Sequence, residues 1–304
     1  LTWPQMSRNR HVRPCALPAF VPILRRMTTL SPNVAKASFE VRDLRFDTGE
    51  EIPRHWHPAG AAVTRFFDNF SLFFPDGERF FVEAVKAHRQ LVSDPQLAAD
   101  LRAFIGQEAM HTREHIRYNE MLVRQGLPAS EMEGRVRRLL RFVSRRNPPR
   151  TRLAITAALE HFTALLAQML LVRPAVMEGA HPTMAQLWRW HATEEFEHKA
   201  VAFDIYQQVH GWYLERIATM LGATIVFWAK VIEHQVRLMH ADGILFSWKE
   251  WKALLRFLFV SPGALRGLLR PYLAYYRPSF HPNQVGHAIP RFTGKPPVEI
   301  AAPA

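Results

Sequence analysis

The chain has 304 residues, with 39 Lys and Arg against 27 Asp and Glu, 48% hydrophobic residues and 12% aromatics, which is ample for a packed core and excludes a disordered chain. One cysteine, Cys15, excludes an intramolecular disulfide framework and any multi-cysteine zinc or iron–sulfur site, so a bound metal needs His, Asp and Glu ligands. That usage suits a reducing cytoplasm, and the net charge of +12 comes without a nucleic-acid-binding motif, so nucleic acid is not an expected partner.

The first 26 residues are rich in Pro and Arg without a clean period, and they lack the sustained apolar centre of a secretory signal. They read as the start of a flexible extension over residues 1–52, with Met27 a natural start for the folded part. Period-2 alternation appears only in "SFEVRDLRF", residues 38–46. An apolar, aromatic segment from Ala61 to Val92 is interrupted at "FPDGE", where Pro75 and Gly77 signal a break or a fresh helix start.

The clearest helix comes next. It has Asp94 as N-cap, Pro95 at the first helical position and a stop at Gly126. "RVRRLLRFVSRRNPPRTR", residues 135–152, interleaves basic and apolar residues; it reads as a solvated helix plus linker, with a surface for anionic lipid or an acidic partner as the alternative. A third long helix runs from Arg152 to Val172, and after a turn at "EGAHP" a fourth begins near Pro182. Residues 213–276 read as two or three further helices. Within them "IATMLGATIVFWA", residues 217–229, is 13 uncharged residues, too short for the roughly 20 that span a bilayer, and is expected to be a core helix. Residues 281–304 form an extended tail, leaving 53–280 as one all-helical domain.

Two of the long helices carry Glu-x-x-His, Glu108 with His111 and Glu195 with His198, a spacing that puts carboxylate and imidazole on one face. Chance alone gives about one Glu-x-x-His in a chain of this composition, and Glu178 with His181 in the turn is such an accident, so the bare motif is weak evidence. The arrangement is more specific. Glu160 stands alone in the apolar run "AITAALEHFTALLA", where an unpaired carboxylate is costly. Counted from the intervening turn, it falls at the height of Glu195 in an antiparallel pair. The same count from the turn near Ser93 matches Glu108 with Glu78, and Glu83 is the reserve if the break shifts the register. His191 shares a face with Glu195 and His198 and supplies a third imidazole. Glu194 and Glu197 point elsewhere, to solvent or to a neighbour of the site, and Asp204 and His115 are candidates to orient the ligands.

One Glu from each of two helices and Glu-x-x-His from each of two others is the pattern by which four-helix bundles hold two iron or manganese ions. The set Glu78, Glu108, His111, Glu160, His191, Glu195 and His198 resembles that of the ferritin-like di-iron oxygenases, para-aminobenzoate N-oxygenase among them. From about Pro53 onward, "FFPDGERFF", "GQEAMHTREHIRYN", "EEFEHKAVAFDIY" and "YYRPSFHP" resemble the bacterial family labelled predicted metal-dependent hydrolase. Hydrolysis has its own candidate motif in "HTREH". Here His111 and His115 would hold zinc, Glu114 would activate water, and a distant glutamate such as Glu195 would be the third ligand.

The expectation is therefore an all-α protein, a ferritin-like four-helix bundle core with additional C-terminal helices. Its seven ligands hold two ions (Fe, or Mn with Fe), with Glu78, Glu108, Glu160 and Glu195 the catalytic carboxylates. Dioxygen is the co-substrate, an external donor supplies electrons, and the substrate is a hydrophobic small molecule or acyl chain received among Phe80, Phe81, Phe104, Phe162 and Phe196. Peripheral membrane contact and a homodimer are both compatible with this reading.

Overall fold

The computed structural model describes residues 35–49 and 51–285. The expectations for residues 1–34, including Cys15 and Met27, and for the tail beyond 285 lie outside them.

The described residues form ten α-helices and no strand: α1 (Ala61–Ser71), α2 (Phe74–Lys86), α3 (Pro95–Arg124), α4 (Ala129–Arg146), α5 (Pro149–Val172), α6 (Pro182–His198), α7 (Val201–Val209), α8 (Tyr213–Ala241), α9 (Trp248–Phe259) and α10 (Leu269–Ala274). The start signals act as the sequence implies. The Asp94 carboxylate accepts from the Gln96 N–H at 2.8 Å, Pro95 opens α3, and Gly126, with φ 79°, takes the left-handed turn that ends it. Pro75 sits in the first turn of α2, where its missing N–H costs nothing, and the expected break therefore separates α1 from α2. The fourth helix is divided as well: α6 stops at His198, and α7 restarts at Val201.

Helices α2 and α3 pack along each other, as do α5 and α6; α2 also meets α5, and α3 meets α6, which closes a ring of four. Two apolar cores lie at its ends. Along α3 the order is Phe104 in one core, then Glu108 and His111, then Tyr118 in the other. Along the chain from α6 into α7, Trp190 precedes and Val201 follows the His191–His198 segment. The polar residues of the ring are thus sealed above and below by apolar layers.

Residues 35–49 alternate as the period-2 pattern implies, but they lie on α3 as an extended strap rather than pairing in a sheet. Ser38 N donates to Asp100, the Gln107 amide donates to Glu40 O at 2.8 Å, and Phe46 is fully buried. The expected boundary at residue 52 thus falls within packed chain. A Cβ on Gly106 would meet Val41 Cγ2 at 2.7 Å, so glycine is needed for this close approach.

The sequence expectation of a core helix at 217–229 is corrected. Helices α5 and α8 are both long and apolar enough to cross a membrane, but only 17% of the apolar window in α8 is buried, against 61% in α5. Leu221, Ile225 and Ile232 point outward, with Ile225 64% exposed. Hydropathy identifies an apolar helix without saying what covers it.

Candidate metal centre

Seven buried residues from α2, α3, α5 and α6 come together in two groups, Glu78, His111, His191 and Glu195 in one, Glu108, Glu160 and His198 in the other. Within each group the ligand atoms lie within 4.8 Å of one another. The Glu195 carboxylate faces both groups. Its Oε1 is 3.3 Å from His191 Nε2 and 3.6 Å from His111 Nδ1, and its Oε2 is 3.6 Å from His198 Nε2. His198 Nε2 is also 3.3 Å from Glu108 and 3.4 Å from Glu160, so Glu160 and Glu195 do stand at one height. Glu83, the reserve, is exposed on α2 and takes no part.

The inward atoms have no hydrogen-bond partners. Glu78 Oε1, both oxygens of Glu108 and of Glu160, Glu195 Oε2, His191 Nε2 and His198 Nε2 are all buried and unsatisfied. Leaving so many strong acceptors unpaired in a dry interior is costly unless a cation fills the space between them. The electrostatics agree. Burial pushes the Glu78 carboxyl up to about 8, and burial with the neighbouring carboxylates holds Glu108 and Glu160 well above the usual range. Burial would raise Glu195 too, but His198, His111 and His191 outweigh it and hold it well below. Burial disfavours a charged His111, yet Glu194 and Glu195 carry it up to about 10; burial and His111 push His191 down to about 4. Four carboxylates this close cannot all ionise without compensating positive charge. Donors of this kind, oxygen and imidazole nitrogen in a closed pocket, fit one or two divalent ions.

The outer atoms of the imidazoles are held. His198 Nδ1 is 2.8 Å from Gln107 Oε1, His191 Nδ1 is 3.1 Å from His115 Nε2, and His111 Nε2 is 3.1 Å from Glu194 Oε2. His115 passes its other nitrogen to Ser71 at 2.9 Å. Glu194 in turn accepts from Arg42 of the strap at 3.2 Å, and Arg42 also makes two bonds of 2.7 Å to Glu197. His115 therefore orients a member of the cluster as expected, and Glu194 and Glu197 are its supports. Asp204 is a correction: on α7, past the end of α6 at His198, it pairs with His281 at 2.8 Å rather than with a member of the cluster.

Glu114 lies outside both groups. Its carboxylate accepts from Phe46 N–H at 2.9 Å and from Arg113 at 2.7 Å, which fastens the strap to α3. Of the expected aromatics, Phe104 meets His198 edge-on at 4.8 Å, and Phe80, Phe81 and Phe162 are buried; Phe196 instead packs under Lys199. Sequence reasoning missed Phe74, whose ring is 4.2 Å from that of His191, and Gln107. Gln107 lies four residues before His111 on one helix face, a spacing that does not by itself single out a glutamine.

The fold and the cluster together define a helical protein with a buried carboxylate–imidazole centre able to hold metal. The family described as predicted metal-dependent hydrolase matches residues 40–286, and the chain belongs to it. That membership supports a metal-dependent enzyme, and it backs hydrolysis more directly than oxygenation. No match was found among curated proteins or among solved structures.

Proposed function

We propose that the seven residues would hold two iron ions, or manganese with iron, within a ferritin-like bundle, and that the enzyme uses dioxygen to hydroxylate, desaturate or N-oxygenate an apolar substrate. The observation that carries this reading is the double-faced Glu195 carboxylate, set between two groups that offer four glutamates and three histidines in all. Four carboxylates balance the charge of two dications, and mixed oxygen and imidazole ligation suits iron and manganese. When bound, such a pair supplies a place for dioxygen to react with electrons from an external donor.

The chain's own residues supply the rest. Gln107, His115 and Glu194 fix the ring orientations of His198, His191 and His111, and such outer contacts tune ligand basicity. Phe74, Phe104 and Trp190 lie against the imidazoles and exclude water. A small cavity of about 70 Å³, lined by Phe70, Phe74 and Leu170, reaches His191 and Glu195. Its walls offer apolar room to a small gas molecule and little to a polar one.

The family description supports a second reading, metal-dependent hydrolysis, in which a bound cation activates water. With Glu114 engaged by the strap, the base for that reaction is better sought in Glu78, whose Oε1 is free and whose carboxyl is raised to about 8. The two readings separate in one experiment. Protein loaded with ferrous iron under argon is expected to consume dioxygen on exposure to air. Cleavage of p-nitrophenyl acyl esters at the same rate with and without air, and no oxygen uptake, would overturn oxidation in favour of hydrolysis.

The outward face of α8 and α9 is the proposed seat of peripheral membrane contact. There Leu221, Ile225 and Trp248 stand exposed, and α9 adds Lys249, Lys252 and Arg256, a mixture that suits an anionic bilayer.

A further inference from the structure

A second cavity, of about 260 Å³, lies between α2, α4, α5 and α8. Its lining follows α4 from Val136 to Asn147 and α8 from Thr219 to Lys230. At 1.5 Å per residue each stretch is roughly 16 Å long, so the space is a slot running along the helices rather than a round chamber. Its walls are almost wholly apolar, with Leu140, Val143, Ile155 and Leu159 facing Ala223 and Phe227. Asn147, Thr151, Thr163, Thr219 and Lys230 also line it, and of its polar residues Glu78 alone belongs to the metal centre. Glu78 is 1% exposed, its Oε2 accepts from the Thr112 hydroxyl at 2.8 Å, and its Oε1 has no partner. A long, thin, apolar space with one unpartnered carboxylate oxygen at its wall is shaped for a ligand that is itself long and apolar.

We infer that this slot binds a single straight hydrocarbon chain, a fatty acyl chain, and lays one of its carbons beside Glu78; the inference rests on the two-metal reading for what the chain meets there. Two positions control the space. A Cβ on Gly77 meets nothing within 4 Å, so a larger side chain at this slot-lining position grows into open space without backbone conflict. Ala223, half-buried on α8, faces the slot from the opposite wall. Neither substitution removes a group from the centre, and leucine is a better helix former than glycine. Because Gly222 and Val226 of the lining are exposed on α8, the slot opens on the same apolar face that is proposed to meet a bilayer.

The test uses the full chain and cis-parinaric acid, a fluorescent fatty acid, displaced by palmitic acid. Wild type is expected to bind one chain per protein. Gly77→Leu and Ala223→Phe are each expected to weaken binding by about tenfold or more, with helix content and metal content unchanged. Absence of binding in wild type, undiminished binding in both well-folded variants, or preference for a compact ring such as naphthalene would each overturn the slot assignment. Two bound metals without chain binding would remove this inference alone. Chain binding to a protein that takes up no metal would uphold the slot and remove the two-metal reading.

Discussion

Glu160 is fully buried in α5 with neither oxygen hydrogen-bonded, and its sequence context shows why it stood out: no other acid interrupts that apolar run. A structural role predicts that Glu160→Ala is tolerated or even stabilising, since it removes an unpaired buried carboxyl. A ligand role predicts a protein that folds but binds less metal. Glu194 tests the layer behind. Glu194→Ala leaves His111 Nε2 and Arg42 without their shared partner, and metal affinity is expected to fall about 10–100-fold, read by competition with a chromogenic chelator. The seven clustered residues were legible because helical spacing places each on a known face. Gln107 and Phe74 were not, because a glutamine or a phenylalanine on a helix has many ordinary tasks and only its neighbours across space single it out.

At the scale of elements, the strap braces α3 and α6, and the end of α8 anchors α1. Gly106→Val would drive a side chain into Val41, lifting the strap that carries Arg42 toward Glu194. A destabilisation of about 1–3 kcal/mol is expected from such overpacking, measured by urea unfolding. At the far end Asp242 accepts from Arg54 at 2.7 Å and Arg65 at 2.9 Å, fastening the chain before α1 and α1 itself to the terminus of α8. Burial would raise the Asp242 carboxyl, but Arg65, Arg54 and His55 bring it down to about 2 from 3.8. A depressed folded-state value stabilises above the unfolded value and is lost as pH falls through the folded one. Asp242→Asn is therefore expected to cost about 3 kcal/mol at pH 7, and the gap to wild type should close between pH 4 and pH 2. Helix starts and stops were legible from Asp94, Pro95, Pro75 and Gly126, whose backbone preferences are local. The strap was not, since alternation of polar and apolar residues describes an extended chain on any apolar surface and does not specify a sheet.

For the whole molecule, the unexpected feature is how much apolar surface faces outward. Phe246 and Trp248, 93% and 74% exposed, stand at the start of α9, and Leu221, Ile225 and Ile232 form an exposed apolar stripe on α8. Large apolar side chains exposed in a row on a helix mark a surface that meets a partner. Flotation with vesicles containing phosphatidylglycerol is expected to lift the protein, and Ile225→Ser with Trp248→Ser to abolish this; a stable dimer in solution that hides the same face would contradict the bilayer assignment. All-helical class could be read from period alone, whereas the placement of α8 outside the ring could not, because a hydrophobic stripe does not name its partner.

The most direct test of the account is the metal content of protein purified without chelator, determined by plasma mass spectrometry alongside Glu160→Ala. Two iron or manganese ions per wild-type chain, and a clear loss in the folded variant, are predicted. One zinc per chain, no metal, or two metals undiminished in Glu160→Ala would contradict it.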